Sequence, residues 1–196
     1  MVEVANPSKA FLSQRGAEAV GSAVVPTIEG SRPLLVEIQA LTTLNNFGQP
    51  RRTANGVDFN RLLLVTAVLT KRVGLKLGNQ DVMVNVTGGL RVGEPAADLG
   101  MALAITSSAW DREVSPQTAV VGEVGLSGEL RAASQMERRL SEVARLGFKK
   151  CIVPKAGDTI RPPEGIELIA VGSLREAVNT GLVRNKAKSR DGEEPL

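Results

Sequence analysis

The sequence predicts one mixed α/β domain, of the α/β or α+β kind, with a mixed sheet rather than a purely parallel wound fold. Three observations predict it. Paired runs of β-branched and aliphatic residues separated only by turn residues alternate with helix-then-strand units. The 196 residues are 42% hydrophobic and 23% charged, which supports one well-filled core or at most two small ones and excludes a disordered chain. No internal repeat and no interior linker rich in Pro, Gly or Ser divides the chain.

In chain order, residues 1–19 read as an entry arm with a short capped helix, because Pro7 and Ser8 stand ahead of Phe11 and Leu12. Residues 20–29 and 33–44 form a hairpin about Gly30 and Ser31, closed by turn chemistry at Asn45, Asn46, Gly48 and Pro50. Asp58 then caps a largely buried helix that carries the apolar stretch 62–69 and stops at Gly74. A strand at 81–86, a loop at 87–97 and a helix from Asp98 to about Ala109 follow. Residues 119–124 read as a strand, and 126–130 as a tight turn or hairpin about Ser127 and Gly128. Met136, Leu140, Val143, Ala144 and Gly147 share one face of the next helix, with Arg138, Glu142 and Arg145 on the other. Strands at 151–153 and 167–171 and a helix at 173–179 complete the domain, and 183–196 read as a charged, flexible tail.

Missing residue types remove whole function classes. There is no histidine and one cysteine, Cys151, so neither an internal disulfide nor a Cys/His zinc cluster can form. Nucleophile mechanisms that use an imidazole base fall with it, leaving Lys, Asp or Glu for any proton transfer. Gly88 to Gly93 has the glycine spacing of a phosphate loop, but Glu94 and Pro95 stand where Lys and Ser/Thr would hold phosphate and magnesium. Gly122, Gly125 and Gly128 have the wrong spacing for a dinucleotide fingerprint, so the chain is expected to hold no cofactor of its own. The longest aliphatic run, 62–65, is far short of the ~18 residues of a membrane-spanning helix. The N-terminus lacks a secretory pattern, and the location expected is cytoplasmic.

The net charge of +3 hides segregation. Residues 31–80 carry seven basic and two acidic groups, residues 81–130 carry two basic and seven acidic, and residues 131–155 carry seven basic and two acidic. Such blocks predict either a basic track for nucleic-acid phosphates or complementary faces that pair between copies in a ring. Arg51, Arg52, Arg61, Lys71 and Arg72 are the candidate DNA-binding residues, Arg51 and Arg52 foremost because two adjacent arginines beside a Pro/Gly turn are expected to be exposed and unengaged. Stacking on bases is expected to contribute little, with no Tyr, four Phe and one Trp.

The run Val-Asn-Val-Thr-Gly-Gly-Leu-Arg-Val-Gly-Glu-Pro-Ala-Ala-Asp-Leu at 84–99, followed by Gly-Glu-Val-Gly-Leu-Ser-Gly-Glu-Leu at 122–130, resembles the C-terminal domain of the RadA (Sms) family of bacterial DNA repair proteins. So do Asn-Pro-Ser at 6–8, Arg-Pro-Leu-Leu-Val-Glu-Ile-Gln-Ala at 32–40, Pro-Arg-Arg at 50–52, Asn-Arg-Leu at 60–62, Gly-Asn-Gln-Asp at 78–81 and the segment 147–154. The resemblance implies a Lon protease-like proteolytic domain at 20–182, an α/β sandwich of the ribosomal protein S5 domain 2-like superfamily. A Lon-type protease places its nucleophile in Gly-Pro-Ser-Ala-Gly and uses a lysine on a later helix as base. Aligning Pro95 with that motif puts Ala96 at the nucleophile and Asp98 at the second glycine; aligning Gly122, Glu123, Val124 and Gly128 puts Arg139 at the lysine. Alanine has no nucleophilic atom and a guanidinium stays protonated, so the dyad is degenerate and no catalytic residue is expected. Ser107, Ser108, Ser127 and Ser134 read as turn or cap residues.

The family further implies a parent with a zinc finger and a RecA-like ATPase, which would account for Zn, ATP and Mg outside these residues. Met1 directly before the domain reads as an excised C-terminal domain rather than a truncated relative. The implied parent is a hexameric, DNA-dependent ATPase and branch-migration helicase acting with RecA on recombination intermediates, its Lon-like part aiding ring assembly and contact with single-stranded or branched DNA. Three alternatives stand beside this: a purely structural oligomerisation module, an active serine peptidase with an unorthodox nucleophile, and a Lon-like domain of the magnesium-chelatase-related family. The last shares the spacing of Glu94, Asp98 and Leu99, but Pro-Arg-Arg at 50–52 and Asn-Arg-Leu at 60–62 argue against it.

Overall fold

In the computed structural model, residues 20–46, 48–155 and 161–183 are described; the expected entry helix and the tail beyond 183 lie outside the described residues. The expected hairpin forms as β1 (Ser22–Glu29) and β2 (Arg32–Leu44), antiparallel, with Glu29 opposite Arg32 across the turn at Gly30 and Ser31. Gly30 has φ 59°, the left-handed backbone that a two-residue hairpin turn requires. Strand β2 is 13 residues long, so its first half pairs with β1 while residues 38–44 pair with β4 (Gln80–Val86).

A strand that the sequence reading missed, β3 (Arg52–Asn55), pairs in parallel with β4. Its Arg-Thr-Ala-Asn sequence lies on the sheet edge, with one side partly buried and the other open, and carries no hydrophobic run to announce it. Beyond β1 the parallel strands β5 (Thr118–Val120), β8 (Lys150–Pro154) and β9 (Glu167–Val171) complete a seven-stranded mixed sheet of order β3-β4-β2-β1-β5-β8-β9.

Alternation of side chains divides the core into two layers. On one face Val25, Val36, Ile38, Val84, Val120 and Ile152 pack with α1 (Phe59–Val68), α2 (Asp98–Trp110) and α4 (Leu174–Gly181). On the other face Val24, Leu35, Ala119 and Cys151 pack with Leu140 and Val143 of α3 (Met136–Arg145). The central strands are thus buried on both sides, which is why β1 reads as a nearly unbroken apolar run. Toward β4 and β3 nothing among the described residues covers the second face, and Leu41 (57% exposed) and Met83 (40%) point outward.

Helix α1 begins where expected: the Asp58 carboxylate accepts the Arg61 backbone N–H. It widens through a π-turn at 69–73 and stops at Gly74, φ 89°, whose N–H returns to the Leu69 carbonyl. Helix α2 is buried at every position from Asp98 to Ser107.

Two expectations are corrected. Residues 119–124 are not one strand, because the chain leaves the sheet after β5 to form a separate hairpin, β6 (Glu123–Val124) with β7 (Leu130–Arg131). At the departure Gly122 donates its N–H to the Ala96 carbonyl (2.9 Å) and accepts from the Leu99 N–H (3.1 Å), so backbone pairing with the 95–99 segment replaces the ladder. On α3, Glu142, read on the polar face, is buried, and Gly147, read on the apolar face, is exposed and lies past the helix end, so the two-faced reading of that helix was too simple. Glu142 is buried beneath Arg145, which donates two hydrogen bonds to it at 2.7 and 2.6 Å.

Candidate functional site

The segment 93–98 lies where the parallel half of the sheet meets the β1–β2 hairpin. Pro95, Ala96 and Ala97 make one 3₁₀ turn that leads directly into α2. Ala96, expected at the nucleophile position, is buried, its methyl group in the smaller core layer with Met136 and Leu140. Arg139, expected at the lysine position, projects from α3 toward the same segment and is 1% exposed.

What joins them is Glu94, the residue before Pro95 and thus at the first glycine of the aligned motif. Its Oε1 accepts from Arg139 (2.7 Å), the Thr27 hydroxyl (2.7 Å) and the Ile28 N–H (3.0 Å), while Oε2 accepts a second Arg139 bond at 2.5 Å. Arg139 donates further to the Pro26 carbonyl (2.8 Å) and the Ser134 carbonyl (2.9 Å), so the planar guanidinium is nearly fully used. Burial works against ionisation of Glu94, but the bonds from Arg139, Thr27 and Ile28 outweigh it and hold this carboxyl below the usual carboxylate range.

The second glycine position repeats the device. Asp98 is buried and accepts two hydrogen bonds from Arg61 of α1, the Nε bond at 3.0 Å, and one from the Val124 N–H at 3.1 Å. Burial pushes the Asp98 carboxyl above its ordinary value, with Arg61 and Val124 pulling the other way; the hydrogen bond to Asp98 in turn raises the Arg61 guanidinium. The loop that would carry protease chemistry is therefore pinned at both ends by carboxylate–arginine pairs, one to α3 and one to α1. Sequence reading identified Asp98, Ala96 and Arg139 but not the pairs, because partners 45 and 37 residues apart leave no local pattern.

The serines considered as substitutes have structural uses. Ser107 accepts the Gly21 N–H and donates to the Arg112 carbonyl, and Ser108 accepts the Thr42 N–H, fastening the capped end of α2, where both their carbonyls accept the Asp111 N–H, to the sheet. Ser134 gives its carbonyl to Arg139, and Ser127 sits in the exposed β6–β7 turn as expected.

The five basic candidates separate. Arg51, Lys71 and Arg72 are exposed. Arg52 is engaged, contrary to expectation: its guanidinium donates to the carbonyls of Arg51, Leu77 and Gln80, closing the segment before β4. Arg61 is committed to Asp98, with Glu123 at 3.9 Å. Part of the charge alternation along the chain is thus consumed inside one molecule. Arg72 lies beside the β6–β7 turn, donating to the Leu126 carbonyl at 3.4 Å, and its own carbonyl accepts from Arg175. Cys151 is buried, and burial drives its thiol far above the ordinary range, so it is no nucleophile.

A cleft of about 570 Å³ opens at the carboxyl ends of β3 and β4. Its floor is made where the loop after β3 meets the loop after β4: the Val92 N–H donates to the Gly56 carbonyl at 2.7 Å, and Val57 bridges Val92. Gly56 has φ 80°, and a Cβ there would lie 2.5 Å from the Leu90 carbonyl oxygen, so only glycine lets the loops approach. Phe59 and Arg91 stand on its walls.

A family model described as subunit ChlI of Mg-chelatase matches residues 54–157, which contain the pinned loop, the cleft and Arg139. The magnesium-chelatase relation, set aside in the sequence reading, is therefore supported; Pro-Arg-Arg at 50–52, one of the two elements held against it, lies outside that match. Among curated relatives, the DNA repair protein RadA of Halalkalibacterium halodurans is 50% identical over 185 residues, 93% of this chain and 40% of that protein. The protein of the same name from Bacillus subtilis is 49% identical over 183 residues, again 93% and 40%, and that from Synechocystis is 48% identical over 190 residues, 97% and 37%. The chain spans about two fifths of the length of these relatives. It belongs to the family that the ChlI model describes, and relatives matched over more than nine tenths of this chain are named DNA repair protein RadA, as its motifs implied.

Proposed function

We propose that this chain is a non-proteolytic, Lon-like module of a RadA-type DNA repair protein, which supports assembly of a hexameric ring and contacts DNA during RecA-linked processing of recombination intermediates in the cytoplasm. One observation carries the reading: at the four positions where the aligned motif needs glycine, serine, glycine and lysine stand Glu94, Ala96, Asp98 and Arg139, and the charged three are locked in ion pairs. A nucleophile is missing, and the position of the base holds a cation that cannot take up a proton. The framework survives with its chemistry replaced by bracing. ATP hydrolysis, with its Mg, and a Zn site belong in this reading to other parts of the longer protein.

Exposed Arg51, Lys71 and Arg72 supply the DNA contact, while Arg52 and Arg61 hold the surfaces that present them. Fluorescence anisotropy with labelled single-stranded and forked DNA tests this. Binding at low salt is expected to weaken with added salt, and removing Arg51, Lys71 and Arg72 together is expected to flatten the slope by about two to three units, roughly 0.7 to 0.9 per phosphate contact. No anisotropy change at low salt rejects the DNA part.

A second reading, a purely structural assembly module, is favoured by the uncovered sheet face with outward Leu41 and Met83. Light scattering that shows a hexamer while anisotropy shows no DNA binding selects it.

A further inference from the structure

We propose that the cleft at the carboxyl ends of β3 and β4 holds one nucleotide of a DNA single strand, its base against Phe59 and its phosphate on Arg91. The proposal rests on the reading of the chain as a DNA-contacting module and names the strand form and the residues that would select it.

Four observations support it. The cleft, about 570 Å³, is within the range of small-ligand sites and lies outside the carboxyl ends of two parallel strands, where open α/β sheets present ligands. Phe59, the first residue of α1, is 48% exposed in a chain with only five Phe and Trp side chains, so a ring that could have been buried faces the opening instead. Arg91 is exposed, and among the described residues it makes no ion pair or side-chain hydrogen bond; Arg52, Arg61 and Arg139 are all committed within the fold. Asn55, at the carboxyl end of β3, lines the cleft and puts a polar residue at its edge, its amide donating to the Asn85 side-chain oxygen at 2.6 Å.

Charge sets the orientation. Asp58 also lines the cleft, and its carboxylate is turned to the start of α1, where it accepts the Arg61 N–H. A phosphate beside Asp58 would be repelled, which disfavours a free nucleoside triphosphate and places the single backbone phosphate toward Arg91. A base takes the Phe59 end. In a duplex both faces of each base are already stacked, so the cleft favours single strands.

The test uses the full chain, a labelled single-stranded oligothymidylate, the matching duplex and free thymidine monophosphate, with a halogenated thymine for photo-crosslinking. Phe59→Ala is expected to weaken single-strand binding about tenfold and leave duplex binding unchanged. Arg91→Gln is expected to weaken it and to reduce the salt slope by roughly 0.7. The crosslink is expected at or next to Phe59, and the monophosphate is expected to compete more weakly than the strand. Phe59→Leu keeps the apolar contact without the ring, so a loss shared with Phe59→Ala at unchanged unfolding midpoint reads stacking and not folding. Single-strand binding that both cleft variants leave intact, or a crosslink that maps elsewhere, overturns the cleft while the DNA-module reading stands. Failure to bind any of the DNAs at low salt overturns both.

Discussion

Arg139 directs four hydrogen bonds into the protein, two of them to one carboxylate, at the position where a protease would keep a neutral amine. Because Glu94 is held below the ordinary carboxylate range, the pair contributes stability that is fully present above an unfolded pKa near ~4.3 and lost as pH falls through the lower folded value. Asp98 has the opposite sign: burial raises its folded pKa, so its share is greatest at low pH and declines as pH rises through the raised value. Acid loss at this site is therefore assigned to Glu94. Urea unfolding of the wild type and Glu94→Gln between pH 2.5 and 7 is expected to show a stability gap that closes below about pH 4; a gap that stays constant contradicts the assignment. At this scale the sequence revealed identities but not partners. The positions of Ala96 and Arg139 came from motif alignment, whereas Glu94, read as the residue replacing a phosphate-loop lysine and as part of a spacing with Asp98 and Leu99, took its meaning from α3, and Arg52 looked free because two of its three carbonyl acceptors, Leu77 and Gln80, lie in another segment.

At the scale of elements, local chemistry was read well wherever a cap or turn marks an end. Asp58, Gly74 and the Gly30–Ser31 turn behave as their residue types dictate. The errors fall where tertiary contacts override local pattern, as in polar edge strand β3 and in the split of 119–124 at Gly122. Helix α2 shows the same dependence on packing. Gly100 faces Val25 of β1, and a Cβ there would lie 2.1 Å from a Val25 methyl carbon, so the glycine is what lets the helix settle on the sheet. Intrinsic helix propensity favours alanine by about 1 kcal/mol, yet Gly100→Ala is expected to destabilise by about 1–3 kcal/mol through overpacking. Gly78, whose Cβ would meet open space, is the control, with an expected change within about 0.5 kcal/mol. Thermal or urea denaturation of the two variants checks the contrast.

Across the whole molecule, the pinned loop links four structural units. Glu94 ties the segment to the β1–β2 hairpin and to α3 on one face of the sheet, and Asp98 ties it to α1 and the β6–β7 hairpin on the other. The mixed sheet and its helices were legible from the alternation of strand and helix signals; strand order and the two-sided bracing were not, since both are set by contacts between distant segments. Replacing such pairs with apolar side chains of similar size is often tolerated, whereas removing one partner strands a buried charge at about 3–5 kcal/mol. A double-mutant cycle of Arg139→Met and Glu94→Leu, read by urea unfolding, tests most directly whether the positions aligned with protease chemistry act as a brace. The expected result is a loss of about 3 kcal/mol for Arg139→Met alone, with a coupling of about 2 kcal/mol or more when both are changed; losses that add to within about 0.5 kcal/mol would contradict it.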